Sequence, residues 1–244
     1  MKINDKKVPW LFGESVLDAA TRAGEFIPSL CCDPGFMNRD SCCRLCLVEI
    51  TLDGRTSLQA ACSTVTDEDM EIVTRTEEID LARETVLQLI HAEAPGNEVI
   101  LDLMKKCNVE PDDNIPDKGG RACILCRRCR NVCNYWVHGA IDSMYRGVKK
   151  EISTPFDEAT DECLGCASCA IVCPINAIEV KDTKDKREIW SNEFDLLYCE
   201  ECGKLLTTDT NYYDASYPNA PQLCHTCSEE YRKKNRPDDE LYFD

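Results

Sequence analysis

Nineteen cysteines stand in this 244-residue sequence, and their spacing carries most of its chemistry. Two runs repeat one pattern, Cys-x2-Cys-x2-Cys-x3-Cys: Cys123, Cys126, Cys129 and Cys133, then Cys163, Cys166, Cys169 and Cys173. Three thiolates this closely spaced can grip three corners of an iron–sulfur cubane, and a distant fourth completes it. Two runs predict two [4Fe-4S] clusters. In the two-cluster pattern the fourth cysteine of each run serves the other cluster. That assigns Cys123, Cys126, Cys129 and Cys173 to the first, and Cys133, Cys163, Cys166 and Cys169 to the second. Pro174 follows Cys173 as the pattern expects, whereas Asn134 follows Cys133. A pair of zinc sites is the competing reading, but zinc usually takes two cysteine pairs rather than paired four-cysteine runs.

Nearer the N-terminus, Cys31-x11-Cys43-x2-Cys46-x15-Cys62 joins a close pair to two outlying thiolates. A [2Fe-2S] rhomb fits this set, although the spacing is not that of plant ferredoxins. Cys32 and Cys42 lie beside two of the positions and stand as alternatives to Cys31 and Cys43, which are preferred. A zinc site or a set of inert buried thiols is the other reading. At the other end, Cys199-x2-Cys202-x21-Cys224-x2-Cys227 offers two pairs to one tetrahedral ion, the spacing of a zinc ribbon. Zinc is the expected occupant; a third [4Fe-4S] cluster or a mononuclear iron would use the same four thiolates. Cys107 is left for core packing, and His138 and His225 are read as bystanders.

These loops need elements to hold them. Ser15-Val16-Leu17-Asp18 is a capping box that opens a short helix, and Gly24 ends it. Leu47 to Leu52 and Arg55 to Ala60 flank Asp53-Gly54, the turn dipeptide of a two-residue hairpin, and Glu71 to Thr74 supplies another strand. From Asp80 the period becomes helical, with Ala82, Val86, Leu89 and Ile90 on one face. After Pro95-Gly96 a second helix carries Ile100, Leu103, Met104 and Cys107, which makes a helical hairpin. Ala140-Ile141-Asp142 then answers Ala177-Ile178-Glu179, so the cysteine repeat extends beyond its ligands, and each half is a loop-and-helix unit packed against its twin. From Ser228 a charged tail predicts a short helix followed by disorder.

Composition narrows the setting. Met1 to Lys7 shows no apolar signal segment, so a reducing cytoplasm is expected, where grouped cysteines bind metals rather than form disulfides. No window is apolar enough for a membrane span. A formal net charge of -17 disfavours a nucleic-acid surface; Arg127-Arg128 with Arg130, and Arg232-Lys233-Lys234, are short basic groups better suited to solvent or to docking. No G-x-G fingerprint and no complete P-loop is present, and no acid, base or nucleophile signature appears.

Ile27-Pro28-Ser29-Leu30-Cys31 and Cys43-Arg44-Leu45-Cys46-Leu47-Val48-Glu49 resemble the N-terminal iron–sulfur region of iron-only hydrogenases and of the large soluble iron–sulfur subunit of NADH:quinone oxidoreductase. The same region occurs in NAD-linked formate dehydrogenases and in the diaphorase part of NAD-reducing hydrogenases. Arg146-Gly147-Val148 and Ser153-Thr154-Pro155-Phe156-Asp157-Glu158 are similar to the hydrogenase pattern, so the resemblance covers roughly residues 1 to 180. It implies a β-grasp fold for the first domain and a ferredoxin-like dicluster module for the third. The expected architecture is α+β: a [2Fe-2S] β-grasp domain at 1–79, a helical hairpin at 80–118, a 2[4Fe-4S] ferredoxin-like domain at 119–190, and a small four-cysteine zinc ribbon with an acidic tail at 191–244.

The sequence departs from the resemblance in two places. Members often carry a histidine followed closely by three cysteines in the helical segment, but His91 is followed by Ala92-Glu93-Ala94-Pro95, so that extra cluster is not expected and His91 reads as a helix-end residue. The stretch after residue 180 is too short for a hydrogen-activating or molybdopterin domain, so hydrogen chemistry is not expected of this chain alone. The resemblance implies an electron-transfer subunit without a substrate site, passing electrons between a flavin/NAD(P) subunit and a hydrogenase, formate dehydrogenase or ferredoxin partner. Acidic surroundings favour oxidised, less negatively charged clusters and hence low potentials; plant-type [2Fe-2S] centres lie at roughly -400 mV. The rivals are a free polyferredoxin and a redox-sensing regulator that binds nucleic acid through the C-terminal site.

Overall fold

A computed structural model describes residues 1–32, 40–112, 114–116, 122–136, 139–211 and 221–235. His138 and the last nine positions of the charged tail lie outside the described residues. Ser15 caps helix α1, Val16–Arg22: its Oγ accepts from the Asp18 N–H at 3.1 Å and donates to Asp18 Oδ2 at 2.6 Å. The helix buries Val16, Leu17, Ala19 and Ala20. That face lies on a sheet of β1 (Lys2–Ile3), β2 (Lys6–Lys7), β3 (Leu47–Leu52), β4 (Arg55–Ala60) and β5 (Glu71–Val73). The strand order is β2-β1-β5-β3-β4, with β1 and β5 parallel and the other pairs antiparallel. The predicted β3–β4 hairpin has Leu52 opposite Arg55, so Asp53 and Gly54 alone make the turn. Both sit in the left-handed region, at φ 52° and 72°, as a type I′ turn demands.

Helix α2, Glu77–Glu93, begins three residues earlier than the periodicity predicts because Thr76 caps it, its side chain accepting from the Ile79 N–H at 3.3 Å. Its buried face also differs. Ile79, Arg83, Leu87 and Ile90 point inward, whereas Leu89, expected in the core, is 56% exposed. The stripe was hidden by Arg83, a charged residue at its centre. Arg83 Nε donates to the Leu45 carbonyl at 3.2 Å and Nη2 to the Leu47 carbonyl at 2.8 Å, which ties α2 to the start of β3. Helix α3, Glu98–Lys106, is capped by Asn97 and buries Ile100, Leu103 and Met104 as expected; Cys107 caps its C-terminus half-buried. Gln88 holds the segment that follows, accepting from the Asp112 N–H at 2.9 Å and donating to the Glu110 carbonyl.

Two short helices follow, α4 (Arg128–Trp136) and α5 (Ser168–Ile171), which pack against each other. Between them runs a two-stranded ribbon of β6 (Asp142–Met144) and β7 (Glu151–Ser153). The last sheet has the order β11-β10-β9-β8: β8 is Lys181–Asp182, β9 Lys186–Ile189, β10 Asn192–Tyr198 and β11 Leu205–Thr208. It starts ahead of residue 191, because Ile189 pairs with Asn192 across a two-residue turn. Helix α6, His225–Asn235, is the short helix expected from the charged tail.

Replacing Arg83 by methionine keeps its stem but leaves two strand-end carbonyls without their donor. The expected loss is about 2 kcal/mol, read as a lower urea midpoint of the purified chain; an unchanged midpoint would remove Arg83 as the tie between α2 and β3.

Candidate metal centres

Loops together with the short helices α4, α5 and α6 gather the cysteines: Cys129 and Cys133 lie in α4, Cys169 in α5 and Cys227 in α6. Cys31, Cys43, Cys46 and Cys62 are all at least 92% buried, while Cys32 and Cys42 are half-buried beside them. The Cys31 thiol hydrogen-bonds to both Cys43 and Cys62, and the Cys46 thiol to Cys62. Cys31 and Cys46 therefore hold their protons tightly, the first through Cys43 and the second through Cys62. Their acceptors move the other way: Cys31, with backbone N–H groups of Leu45, Leu30 and Cys31, brings Cys43 down to about 6 despite burial. Cys62 is likewise lowered, by Cys31, Cys46 and Ser41, whose Oγ lies 3.6 Å from its sulfur. Ser41 and Arg44 are left-handed, at φ 53° and 56°, which lets the loop wrap its N–H groups around the sulfurs.

The repeated runs share a backbone as well as a spacing. In each, the residue two after the first cysteine and the residue after the second are left-handed: Leu125 and Arg127 at φ 53° and 64°, Gly165 and Ala167 at 65° and 57°. The curl turns N–H groups toward the thiols, as in Leu125 to Cys123 Sγ at 3.4 Å, and Ala177 N–H reaches Cys173 Sγ at 3.2 Å. Cys123, Cys126, Cys129 and Cys173 line one cavity of about 150 Å³ with Ile124, Ile152, Ile175 and Ile178. Cys133, Cys163, Cys166 and Cys169 line a second with Ile141 and Ile189. Each run's fourth cysteine thus lines the cavity of the other run's first three. Burial pushes Cys126 up to about 12 and Cys169 up to about 11, the latter relieved in part by the Trp190 indole N–H, 3.4 Å from its sulfur. Trp190 was not marked by any sequence pattern.

At the C-terminal site the four sulfurs of Cys199, Cys202, Cys224 and Cys227 all lie within 4.8 Å of one another. Cys202 and Cys224 are 3.7 Å apart. A tetrahedral ion with metal–sulfur bonds of about 2.3 Å needs sulfurs about 3.8 Å apart, so the set fits one ion; a cubane, which binds each thiolate to a different iron, needs a wider spread. Cys199 and Cys202 sit in the β10–β11 knuckle, closed by Gly203 N–H to Cys199 O at 2.8 Å. The second pair lies at the start of α6 rather than in another hairpin, a departure from a ribbon built of two knuckles. Glu200 joins the halves, its N–H donating to the Gln222 carbonyl at 2.9 Å and its Oε1 accepting from the Gln222 N–H at 3.1 Å. Cys199 is brought down to about 6, chiefly by the backbone N–H of Cys224. His225, the first residue of α6, lies 3.8 Å from Glu229 and outside the thiol set; His91 lies in the last turn of α2.

The centres abut. Cys31, Cys43 and Leu45 share an apolar core with Cys126 and Ile175, and Cys129 shares the next core with Cys133, Cys163 and Cys169. Asn97 Nδ2 donates to the Ile175 carbonyl at 2.9 Å, and Asn131 Nδ2 to Asp40 at 2.9 Å. The last sheet and the turn that follows it clamp the second run: Thr208 and Thr210 donate to the Leu164 carbonyl and Arg187 to the Gly165 carbonyl. A Cβ on Gly165 would meet Phe194 at 2.6 Å and Thr208 at 2.8 Å, which explains glycine here where the first run has Leu125. Gly165→Ala should therefore cost about 3 kcal/mol or more in a denaturant titration, against about 1 for Gly54→Ala, whose turn is open; equal costs would refute the tight seat.

Comparison with known proteins gives the same order of centres. Residues 1–77 match the 2Fe-2S iron-sulfur cluster binding domain, and residues 119–180 the 4Fe-4S dicluster domain. The chain is 27% identical over 196 residues to the HndD subunit of the NADP-reducing hydrogenase of Solidesulfovibrio fructosivorans, covering 68% of this chain and 33% of that one. It is 29% identical over 217 residues to the G 2 subunit of the NADH-quinone oxidoreductase of Rhizobium meliloti, covering 78% and 25%. It spans about a quarter to a third of the length of these curated relatives. A chain of the NAD+-reducing [NiFe]-hydrogenase in the H2-reduced state shares the fold, with a TM-score of 0.62 at 24% identity over 72% of this chain and 84% of that one. Among the described residues no helix is long and apolar enough to cross a membrane. The chain carries a 2Fe-2S and a 4Fe-4S dicluster domain, the iron–sulfur region it shares with subunits of NAD(P)-linked hydrogenases and NADH-quinone oxidoreductases.

Proposed function

We propose that this chain is the electron-wiring subunit of a multisubunit oxidoreductase, passing electrons between a flavin/NAD(P) subunit and a hydrogenase, formate dehydrogenase or ferredoxin partner. The observation that carries this reading is the contiguity of the buried thiol sets, each sharing an apolar core with the next. In it Cys31, Cys43, Cys46 and Cys62 hold a [2Fe-2S] cluster; the four thiols form one connected set, Cys31 reaching Cys43 and Cys62 and Cys46 reaching Cys62. Cys123, Cys126, Cys129 and Cys173 hold one [4Fe-4S] cluster, and Cys133, Cys163, Cys166 and Cys169 the other. Such clusters supply reversible one-electron chemistry when bound. The protein's part is to exclude water, fix the sulfurs and aim N–H donors at them. The reading keeps four domains, at 1–79, 80–118, 119–190 and 191–244: a β-grasp domain, a helical hairpin, a ferredoxin-like dicluster module and a four-cysteine zinc module.

Zinc suits Cys199, Cys202, Cys224 and Cys227 because their sulfurs are close enough for one ion, and a closed four-thiolate site adds folding energy to the sheet that clamps the second run. The chain has no substrate site in this reading, so electrons enter and leave through partners in the cytoplasm.

Two experiments test it. Cys31→Ser and Cys43→Ser should each abolish the [2Fe-2S] signal in electron paramagnetic resonance, whereas Cys32→Ser and Cys42→Ser should keep it; the opposite outcome would exchange the ligands. Anaerobic purification of the tagged chain from its own host, with mass spectrometry, should recover a flavoprotein and a hydrogenase or dehydrogenase subunit in stoichiometric amounts. Recovery of the chain alone, still reducible by dithionite, would replace the complex with the diffusible carrier.

A further inference from the structure

Trp190 stands where the two dicluster cavities meet. Its ring lines the cavity of Cys123, Cys126, Cys129 and Cys173 and also that of Cys133, Cys163, Cys166 and Cys169. Its indole N–H donates to Cys169 Sγ at 3.4 Å, a side-chain donor added to the backbone ones. On the far side the same turn borders an open groove lined by Glu179, Lys181, Glu188, Asn192 and Glu193. Trp190 therefore borders both thiol cavities and a groove open to solvent.

The backbone that presents it is unusual. Trp190 and Ser191 form the whole turn between β9 and β10, at φ 52° and 60°, where Asn-Gly would be the easy choice. Neither residue favours the left-handed region, so the turn is held by its surroundings. Asn192 Nδ2 donates to the Trp190 carbonyl at 3.1 Å, and Ile189 and Phe194 anchor the strands on either side in the dicluster core. Backbone strain at a residue that bridges two cavities is what a positioned side chain leaves behind.

We propose that Trp190 is a positioning residue of the dicluster site: its N–H sets the potential of the cluster bound through Cys169, and its ring partitions the two clusters and seals them from solvent. This deepens the proposed function and rests on the assignment of [4Fe-4S] clusters to the two cavities. One-electron reduction adds one negative charge that spreads onto the thiolate sulfurs, so a hydrogen bond to Cys169 Sγ stabilises the reduced form more than the oxidised one and raises the potential. Trp190 also lines the cavity of Cys123, Cys126, Cys129 and Cys173, but its indole N–H is committed to Cys169 Sγ, so the effect would be one-sided.

The test is Trp190→Phe in the full chain, reconstituted anaerobically and titrated redox-potentiometrically with electron paramagnetic resonance. The expected result is full iron and sulfide content, one [4Fe-4S] potential shifted to a more negative value, and the other unmoved. Both potentials unmoved in a fully loaded variant would overturn the proposal. Wild-type protein without two [4Fe-4S] clusters would instead sink the cluster assignment itself. Should the variant fail to load, a second measurement decides: in a Trp10→Phe/Trp136→Phe chain, Trp190 is the single tryptophan and can be labelled with 15N at the indole. Pulsed resonance of the reduced protein should then show a 15N hyperfine coupling, and its absence would overturn the hydrogen bond.

Discussion

Collecting thiolates in dry surroundings is the constraint on which the rest of this structure depends. Burial favours the neutral thiol, as the raised Cys126 and Cys169 show, yet a soft metal binds only the thiolate. The chain resolves the conflict with backbone curled around each sulfur set. Left-handed residues between the cysteines turn N–H groups inward, and these partial positive charges, with hydrogen bonds from neighbouring thiols in the first set, offset the negative sulfur. A metal bound at these thiolates would add its binding free energy to that of the apolar core.

That constraint also explains why small elements suffice. The first sheet, the helical hairpin and the last sheet do not form one large core; each presses a loop into shape. Arg83 fixes the chain on either side of Cys46, Asn97 and Asn131 hold the dicluster module against the helices and the Cys31–Cys43 loop, and Thr208 with Arg187 grips Leu164 and Gly165. The thiol sets follow one another along this line because each loop is braced by the element that also braces its neighbour.

Much of this was legible in the sequence. The β3–β4 hairpin could be read because Asp53-Gly54 leaves little choice of turn, and the α1 start because Ser15 and Asp18 satisfy each other locally. The cysteine runs were legible because their spacing is itself the geometry. The face of α2 is not legible, because Arg83 buries a charge to reach two carbonyls, a tertiary contact that no hydrophobic period reveals. Trp190 escaped for the same reason, since its partner Cys169 lies 21 positions away and its turn contradicts local propensity. The second C-terminal pair was expected in a ribbon and stands at the start of α6, where only the three-dimensional placement of Gln222 against Glu200 brings it to the first pair.

The wiring we propose needs twelve of the cysteines to hold three clusters of two kinds and the last four to hold a single ion. Elemental analysis with Mössbauer spectroscopy of anaerobically purified, 57Fe-enriched chain tests it most directly. About ten iron atoms and one zinc per chain are expected, with about a fifth of the iron in [2Fe-2S] form and the rest in [4Fe-4S] form. About fourteen iron with no zinc would contradict the single-ion site, and zinc in place of iron at the paired runs would contradict the wiring as a whole.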